Sequence, residues 1–246
     1  MNQHGYIWMR RAFSLDISNS RAQMVEAQRE VVSIRGHLVA YEAEGDGAFF
    51  QDIRPQQNMA REQVSSGSEV PLEIHTEQAF SDRRPDYLCL GCIRGDPAAI
   101  TYLLHVDAIV QHMSAEELTL LQQPLWRVGV DLSFRLQGVR DEVRGPVPIL
   151  SLDFTDGWQL CFDQDLMRGI TEEAEALRHK IVQLYYAERQ GICLEAGDIL
   201  LIENRVMVHG RSAFRPRYDE TDRWLVRCFG MMNSRFTESV VKVQDS

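Results

Sequence analysis

Short apolar runs, alternating or continuous, dominate the chain. "HGYIWMR" (4–10), "PLEIHTEQAF" (71–80), "DYLCLGCIRG" (86–95), "VDLSFRL" (130–136), "VPILSLDF" (147–154) and "DRWLVRCFGMM" (222–232) read as strands. "HLVAYEAEGDGAFFQDIRP" (37–55) alternates around a Gly-rich turn and predicts a hairpin. "AGDILLIENRVMVHGRS" (196–212) predicts two strands flanking an Asn-containing turn. Helical periodicity shows in three stretches: 20–36, closed by Gly36; 97–126, broken near Ser114 by a capping box with Glu117; and 171–191, with acids in its first turn and Gly191 at its end. Residues 56–70 are polar loop, and "QGVRDEVRGP" (137–146) is a charged loop with the composition of a lid. Many short strands, few helices and no β–α–β rhythm predict a mainly β fold with flanking helices, a sandwich or jelly roll, in one domain over 1–246.

Composition narrows the partners. The formal net charge of −10 disfavours nucleic acid, which selects basic surfaces. No run reaches the ~18 apolar residues of a membrane span, and the first residues lack signal-peptide architecture, so the chain reads as cytoplasmic. The five cysteines have no disulfide-framework spacing. Cys89 and Cys92 form a lone C-x-x-C inside an apolar run. A zinc site would need a second pair, so the two read as small buried hydrophobes on opposite strand faces.

Candidate chemistry starts at "HTE". On a strand, His75 and Glu77 would share a face and converge on one ion. H-x-E alone is weak among seven histidines, and a polar strand edge is the competing reading. A third ligand, His209 in "VMVHGRS", would complete a two-His-one-carboxylate face with open positions, as in non-haem Fe(II) oxygenases. His105, His112, His179, His4 and His37 lie on helical or edge stretches without a suitably spaced acid. Beyond His209, Arg223 and Arg227 are four apart on a strand and face one side. Two such guanidiniums can each grip a carboxylate with two hydrogen bonds; the alternative is a pair of surface charges on an edge strand.

With these residues in view, "FFQDIRP", "EIHTEQAFSDRRPDYLCLGCIRGDPAA" and "AGDILLIENRVMVHGRSAFRPRYDETDRWLVRCF" make the chain resemble the clavaminate synthase-like branch of the Fe(II)/2-oxoglutarate dioxygenases, in the TauD-like superfamily, which includes arginine and asparagine β-hydroxylases. The resemblance runs from about Gly5 to Met232 and implies a double-stranded β-helix core. It implies iron held by His75, Glu77 and His209, the distal carboxylate of 2-oxoglutarate paired with Arg223 and supported by Thr101, and O2 as oxidant. It places Arg227 on the substrate α-carboxylate, Gln51, Ser65 and Glu77 near the amino-acid head, and Asp163 near the side chain. The implied product is a β-hydroxylated polar amino acid, in a specialised or antibiotic pathway; desaturation or cyclisation belongs to the same chemistry. Two departures stand out. Arginine-specific members carry a second acid where this chain has Cys161, and members usually carry a longer N-terminal helical extension. From other classes, a zinc hydrolase using the same ligands would leave Arg223 and Arg227 without a purpose, and a non-catalytic jelly-roll metal-binding module would be expected to lose a ligand. Oligomeric state is not legible.

Overall fold

A computed structural model describes residues 5–12, 19–232 and 239–241. Two facing sheets make the body. The larger contains β1 (Tyr6–Met9), β2 (His37–Tyr41), β3 (Gln51–Ile53), β5 (Tyr87–Arg94), β13 (Ile199–Glu203), β15 (Trp224–Met231) and β16 (Ser239–Val241), in the order β1-β13-β5-β15-β2-β16, with β3 also on β15. The smaller contains β4 (Leu72–His75), β6 (Ile100–His105), β12 (Gln190–Cys193) and β14 (Met207–Arg211), in the order β12-β6-β14-β4. A three-stranded patch of β7 (Trp126–Val128), β8 (Arg144–Val147) and β11 (Met167–Gly169), and a hairpin of β9 (Leu150–Asp153) and β10 (Gly157–Leu160), complete the strands. The helices are α1 (Ser20–Ser33), α2 (Val106–Gln111), α3 (Ala115–Leu121), α4 (Leu132–Leu136) and α5 (Glu172–Glu188). The result is the expected mainly β jelly roll with flanking helices. Among the described residues, no helix is long and apolar enough to cross a membrane.

Continuous apolar strands follow from burial on both faces. Leu88, Leu90 and Cys92 of β5 pack into the inter-sheet core with Leu200, Ile202, Leu225 and Phe229. Tyr87, Cys89 and Ile93 face the other way, under Met24 and Val32 of α1. Each such side chain contributes roughly 1.5–3 kcal/mol by leaving water. Cys89 and Cys92 therefore do lie on opposite faces, both unbridged and fully buried. The predicted capping box is present: the Ser114 hydroxyl accepts from Glu117 N–H while Glu117 accepts from Ser114 N–H. Helix α5 starts at the Thr171 cap.

Four expectations fail. The 97–126 stretch opens as strand β6, not helix, because both edges of "ITYLLH" are paired, one to β12 and the other to β14. "VDLSFRL" folds as the short helix α4 after Asp131, not as a strand. Gly191 lies in β12, past the end of α5 at Glu188. The hairpin predicted over 37–55 does not form. Strands β2 and β3 both run antiparallel to β15 and lie in line along it, at Phe229–Met231 and Leu225–Arg227 respectively. They are one strand interrupted by residues 42–50. This excursion turns through left-handed Gly45, Asp46 and Gly47. A side chain at Gly45 would be strained by its left-handed backbone and would press on that of Gln51, 2.7 Å away, so glycine suits the position.

Candidate active site

His75 is the last residue of β4 and is paired with His209 of β14 across the ladder. Their rings lie 4.4 Å apart. Glu77 follows β4 in a turn, so strand parity is not what aims it. Asn204, fully buried, does this: its side-chain oxygen accepts from Glu77 N–H at 2.7 Å, and its amide donates to the carbonyls of Glu77 and Pro85. Thr76 N–H donates to Phe162 O and fixes the residue between the two ligands. His209 Nε2 stands 3.2 Å and His75 Nε2 3.9 Å from Glu77 Oε1. One donor atom from each of the three falls within 4.8 Å of the others, a cluster able to hold a metal ion.

The donor set fits a borderline transition metal. His75 Nδ1 lies 2.8 Å from Glu73 O; donation to that carbonyl commits Nε2 to the cluster, the usual arrangement behind a metal-bound imidazole. Burial pushes the Glu77 carboxyl up, but hydrogen bonds from His209 and His75 and the Arg227 charge overcome this and hold it well below the carboxylate range. Burial lowers His75, yet its bond to Glu77 wins and raises it to about 9. Burial and the neighbouring His75 lower His209. Without a metal, the cluster is thus an anionic carboxylate gripped by one imidazolium and one neutral imidazole.

The cluster opens onto a cavity floored by Leu88, Leu90 and Leu225. Arg223, just before β15, and Arg227 within it line this cavity together with Thr101 of β6, Ser65 and Asp163. The two arginines are 7% exposed each and belong to the interior. Their surroundings differ. Arg227 bonds Glu44 and, at 2.6 Å, Gln51 Oε1, and its Nη1 lies 3.9 Å from Glu77. Burial lowers Arg227, but Glu44 and Glu77 raise it overall. Arg223 makes no ion pair among the described residues, and burial lowers it to about 10. Gln51 is drawn under Arg227, where its amide also donates to Glu44 O and Ala48 O, and it does not line the cavity. Asp163 is anchored through Oδ1 by Leu166 N–H, and burial raises its carboxyl to about 6. Cys161 turns away, its thiol 3.3 Å from Ala79 O, and does not line the cavity.

Three cavity residues are not marked by any sequence motif. Glu44 arrives on the excursion that interrupts the β2–β3 line. Its only signal is the Gly-rich "EGDGA". Burial raises it against the pull of Arg227 and of the neighbouring Gln78 amide, and among the described residues no group stands in hydrogen-bonding geometry to its Oε2 or to Arg227 Nε. Asp131 precedes α4, where the apolar pattern predicts a strand; burial and Asp163 raise its carboxyl well above normal. Arg211 lies two residues after His209, on the same strand face. The charged segment 137–146 follows α4 and leads into β8. Gly210, between His209 and Arg211, admits no side chain: a Cβ there would lie 2.7 Å from Leu72 O and 2.8 Å from the Tyr185 hydroxyl.

Comparisons with known proteins show the family of the chain. L-lysine 3-hydroxylase of Catenulispora acidiphila is 49% identical over 197 residues, covering 79% of this chain and 55% of its own length. L-asparagine oxygenase of Streptomyces coelicolor is 34% identical over 198 residues, covering 80% and 58%. The chain thus spans little more than half the length of these relatives. A crystal structure of asparagine oxygenase in complex with Fe(II), 2S,3S-3-hydroxyasparagine and succinate superposes with a TM-score of 0.88 at 26% identity, covering 98% of this chain and 81% of that one. The model of the family described as taurine catabolism dioxygenase TauD, TfdA matches residues 1–229, and the chain belongs to that family.

Proposed function

We propose that this chain is an Fe(II)/2-oxoglutarate-dependent oxygenase that hydroxylates the β-carbon of a free L-amino acid with a cationic side chain, lysine being the first to test. One observation carries the reading: the His75–Glu77–His209 cluster and two buried arginines open onto the same cavity. A zinc hydrolase would have no use for that pair.

His75, Glu77 and His209 would hold the iron, a facial set of two imidazoles and one carboxylate that leaves positions for other ligands. Bound there with 2-oxoglutarate and O2, iron supplies the oxidising power that inserts oxygen into a C–H bond, with succinate and CO2 as by-products. The remaining work is positioning and exclusion of water. Arg223, without an ion pair among the described residues, is suited to the distal carboxylate of 2-oxoglutarate, and Thr101 lines the same cavity to support it. Arg227 and Glu44 form a zwitterionic pair whose opposite charges complement an α-carboxylate and an α-ammonium. Gln51 braces Arg227 from behind. Glu77 borders the same head region, 3.9 Å from Arg227, and Ser65 lines the cavity. Asp163 and Asp131 lie in the cavity wall, where burial disfavours their charge; a cationic side chain would restore it. The name of the relative at 49% identity, a lysine hydroxylase, points the same way.

The test is succinate release from protein supplied with Fe(II), ascorbate and 2-oxoglutarate, each amino acid being added in turn. Stimulation by lysine, with a product heavier by one oxygen atom, is the expected result. Succinate without added oxygen would replace hydroxylation by desaturation or ring closure. No turnover with any amino acid, and no 2-oxoglutarate binding, would leave a non-catalytic metal-binding module.

A further inference from the structure

Arg211 has no part in the proposed chemistry, yet it is one of the most constrained side chains near the cavity. It is 5% exposed and makes no ion pair with a carboxylate among the described residues. On β14 it stands opposite Thr101 of β6, at the end of the cavity where Arg223 lies. The two guanidiniums flank one ring: Arg211 lies 5.1 Å and Arg223 6.0 Å from the centroid of Phe214. Both side chains are buried and neither has a carboxylate partner among the described residues, so two like charges share this end of the interior. An isolated buried cation is costly, and a second beside it adds to that cost. The pair is therefore a device whose energy falls when an anion arrives.

Arg211 is also bonded away from the cavity end. Its Nη1 donates to Ser65 O at 3.0 Å and its Nε to Ser212 O at 3.2 Å. Ser65 belongs to the irregular segment between β3 and β4, which closes on itself through Gly67 N–H to Val64 O and through Ser68 and Glu69 N–H to Ala60 O. That segment contributes Gln63, Val64 and Ser65 to the cavity wall.

We propose that Arg211 is a positioning residue that couples the anion pocket at Arg223 to the segment carrying Ser65. This rests on 2-oxoglutarate being the anion. Before it binds, repulsion from Arg223 works against the position in which Arg211 grips Ser65 O. Once the distal carboxylate supplies a shared counter-charge, Arg211 is held and the 60–69 loop is drawn firm against the cavity, ready for the amino acid.

Hydrogen–deuterium exchange on the Mn(II)-loaded protein, without O2, tests this, with 2-oxoglutarate binding measured by calorimetry on the same samples. In the unsubstituted protein, 2-oxoglutarate is expected to slow exchange at Gly67, Ser68 and Glu69 by about fivefold or more, the low end of ordinary coupling energies. The oxo acid 2-oxobutyrate, which lacks the distal carboxylate, should leave these amides unchanged. R211M should still bind 2-oxoglutarate but lose the slowing; R211K, which keeps charge without the fork, should retain only part of it. A purely structural arginine would alter baseline exchange and leave the 2-oxoglutarate-dependent difference intact. Binding without slowing in the unsubstituted protein, or equal slowing with 2-oxobutyrate, overturns the coupling and leaves the proposed function standing; this arm holds even if R211M fails to fold. Failure of the unsubstituted protein to bind 2-oxoglutarate overturns both.

Discussion

Each side chain at the cluster has an electrostatic task with a measurable consequence. Metal needs His75 neutral, whereas in the metal-free fold its bond to Glu77 outweighs burial and holds it near 9, above the ordinary 6.5. The raised value stabilises the fold fully below pH 6.5, and that contribution disappears as pH climbs through 9. Metal affinity runs the opposite way, rising with pH over the same window. At pH 7.5, with His209 neutral and Glu77 ionised, loading should release about one proton per metal, read by calorimetry in buffers of different ionisation enthalpy. Zero release would mean that His75 is neutral beforehand. Glu77→Ala should abolish hydroxylation, since it removes the anionic ligand that both histidines face; hydroxylation surviving in this variant would place the metal elsewhere. Arg223→Ala should raise the KM for 2-oxoglutarate while metal binding stays intact. Truncating one partner of a desolvated charge pair costs about 2–5 kcal/mol, so an unchanged KM would remove Arg223 from that role.

Between elements, the supports matter as much as the ligands. Asn204 joins the β13–β14 turn to the Glu77 turn through two hydrogen bonds, donates a third to Pro85 O, and is fully buried. Asn204→Ala would orphan buried backbone groups at about 1–3 kcal/mol and loosen Glu77. We expect lower stability in chemical denaturation together with weaker metal binding. Stability lost without any change in metal affinity would show that Asn204 supports the fold and not the ligand. Gly210→Ala would force β14 away from Leu72 O and Tyr185. Overpacking of this kind costs about 1–3 kcal/mol, and here it would displace His209 and Arg211 with it. The interrupted β2–β3 line works by the same logic. A strand that paired continuously along β15 would leave no backbone for the excursion that brings Glu44 to Arg227.

Across the fold, charge is sorted by position. Glu44, Asp131 and Asp163 face the cavity from three separate segments, while Arg211 and Arg223 collect at another part of it. This separation suits a dianionic co-substrate and a cationic substrate sharing one space. Asp163→Asn should cut kcat/KM for lysine by about 2 kcal/mol or more and narrow the preference over a neutral amino acid. A kinetic ratio between lysine and asparagine that does not move would mean that Asp163 does not read the side chain.

The strand-rich architecture, the capping box and the residue types of the centre are legible in the amino-acid sequence by itself, because they depend on local pattern. Runs such as "YLCLGCI" and "ILLI" carry no charged or polar side chain but the tyrosine hydroxyl since both faces are covered, and H-x-E, a distant His and two arginines four apart are chemical types, readable from one line of text. What the chain alone leaves open depends on partners far away in it. "ITYLLH" is apolar enough for helix or strand, and pairing with β12 and β14 selects strand. Residues 37–55 resemble a hairpin until β15, more than 170 positions later, takes both halves on one edge. Glu44, Asp131 and Arg211 carry no motif; they matter only because folding strips water from them next to the ligands, and burial, not spelling, turns an ordinary acid or arginine into part of a site.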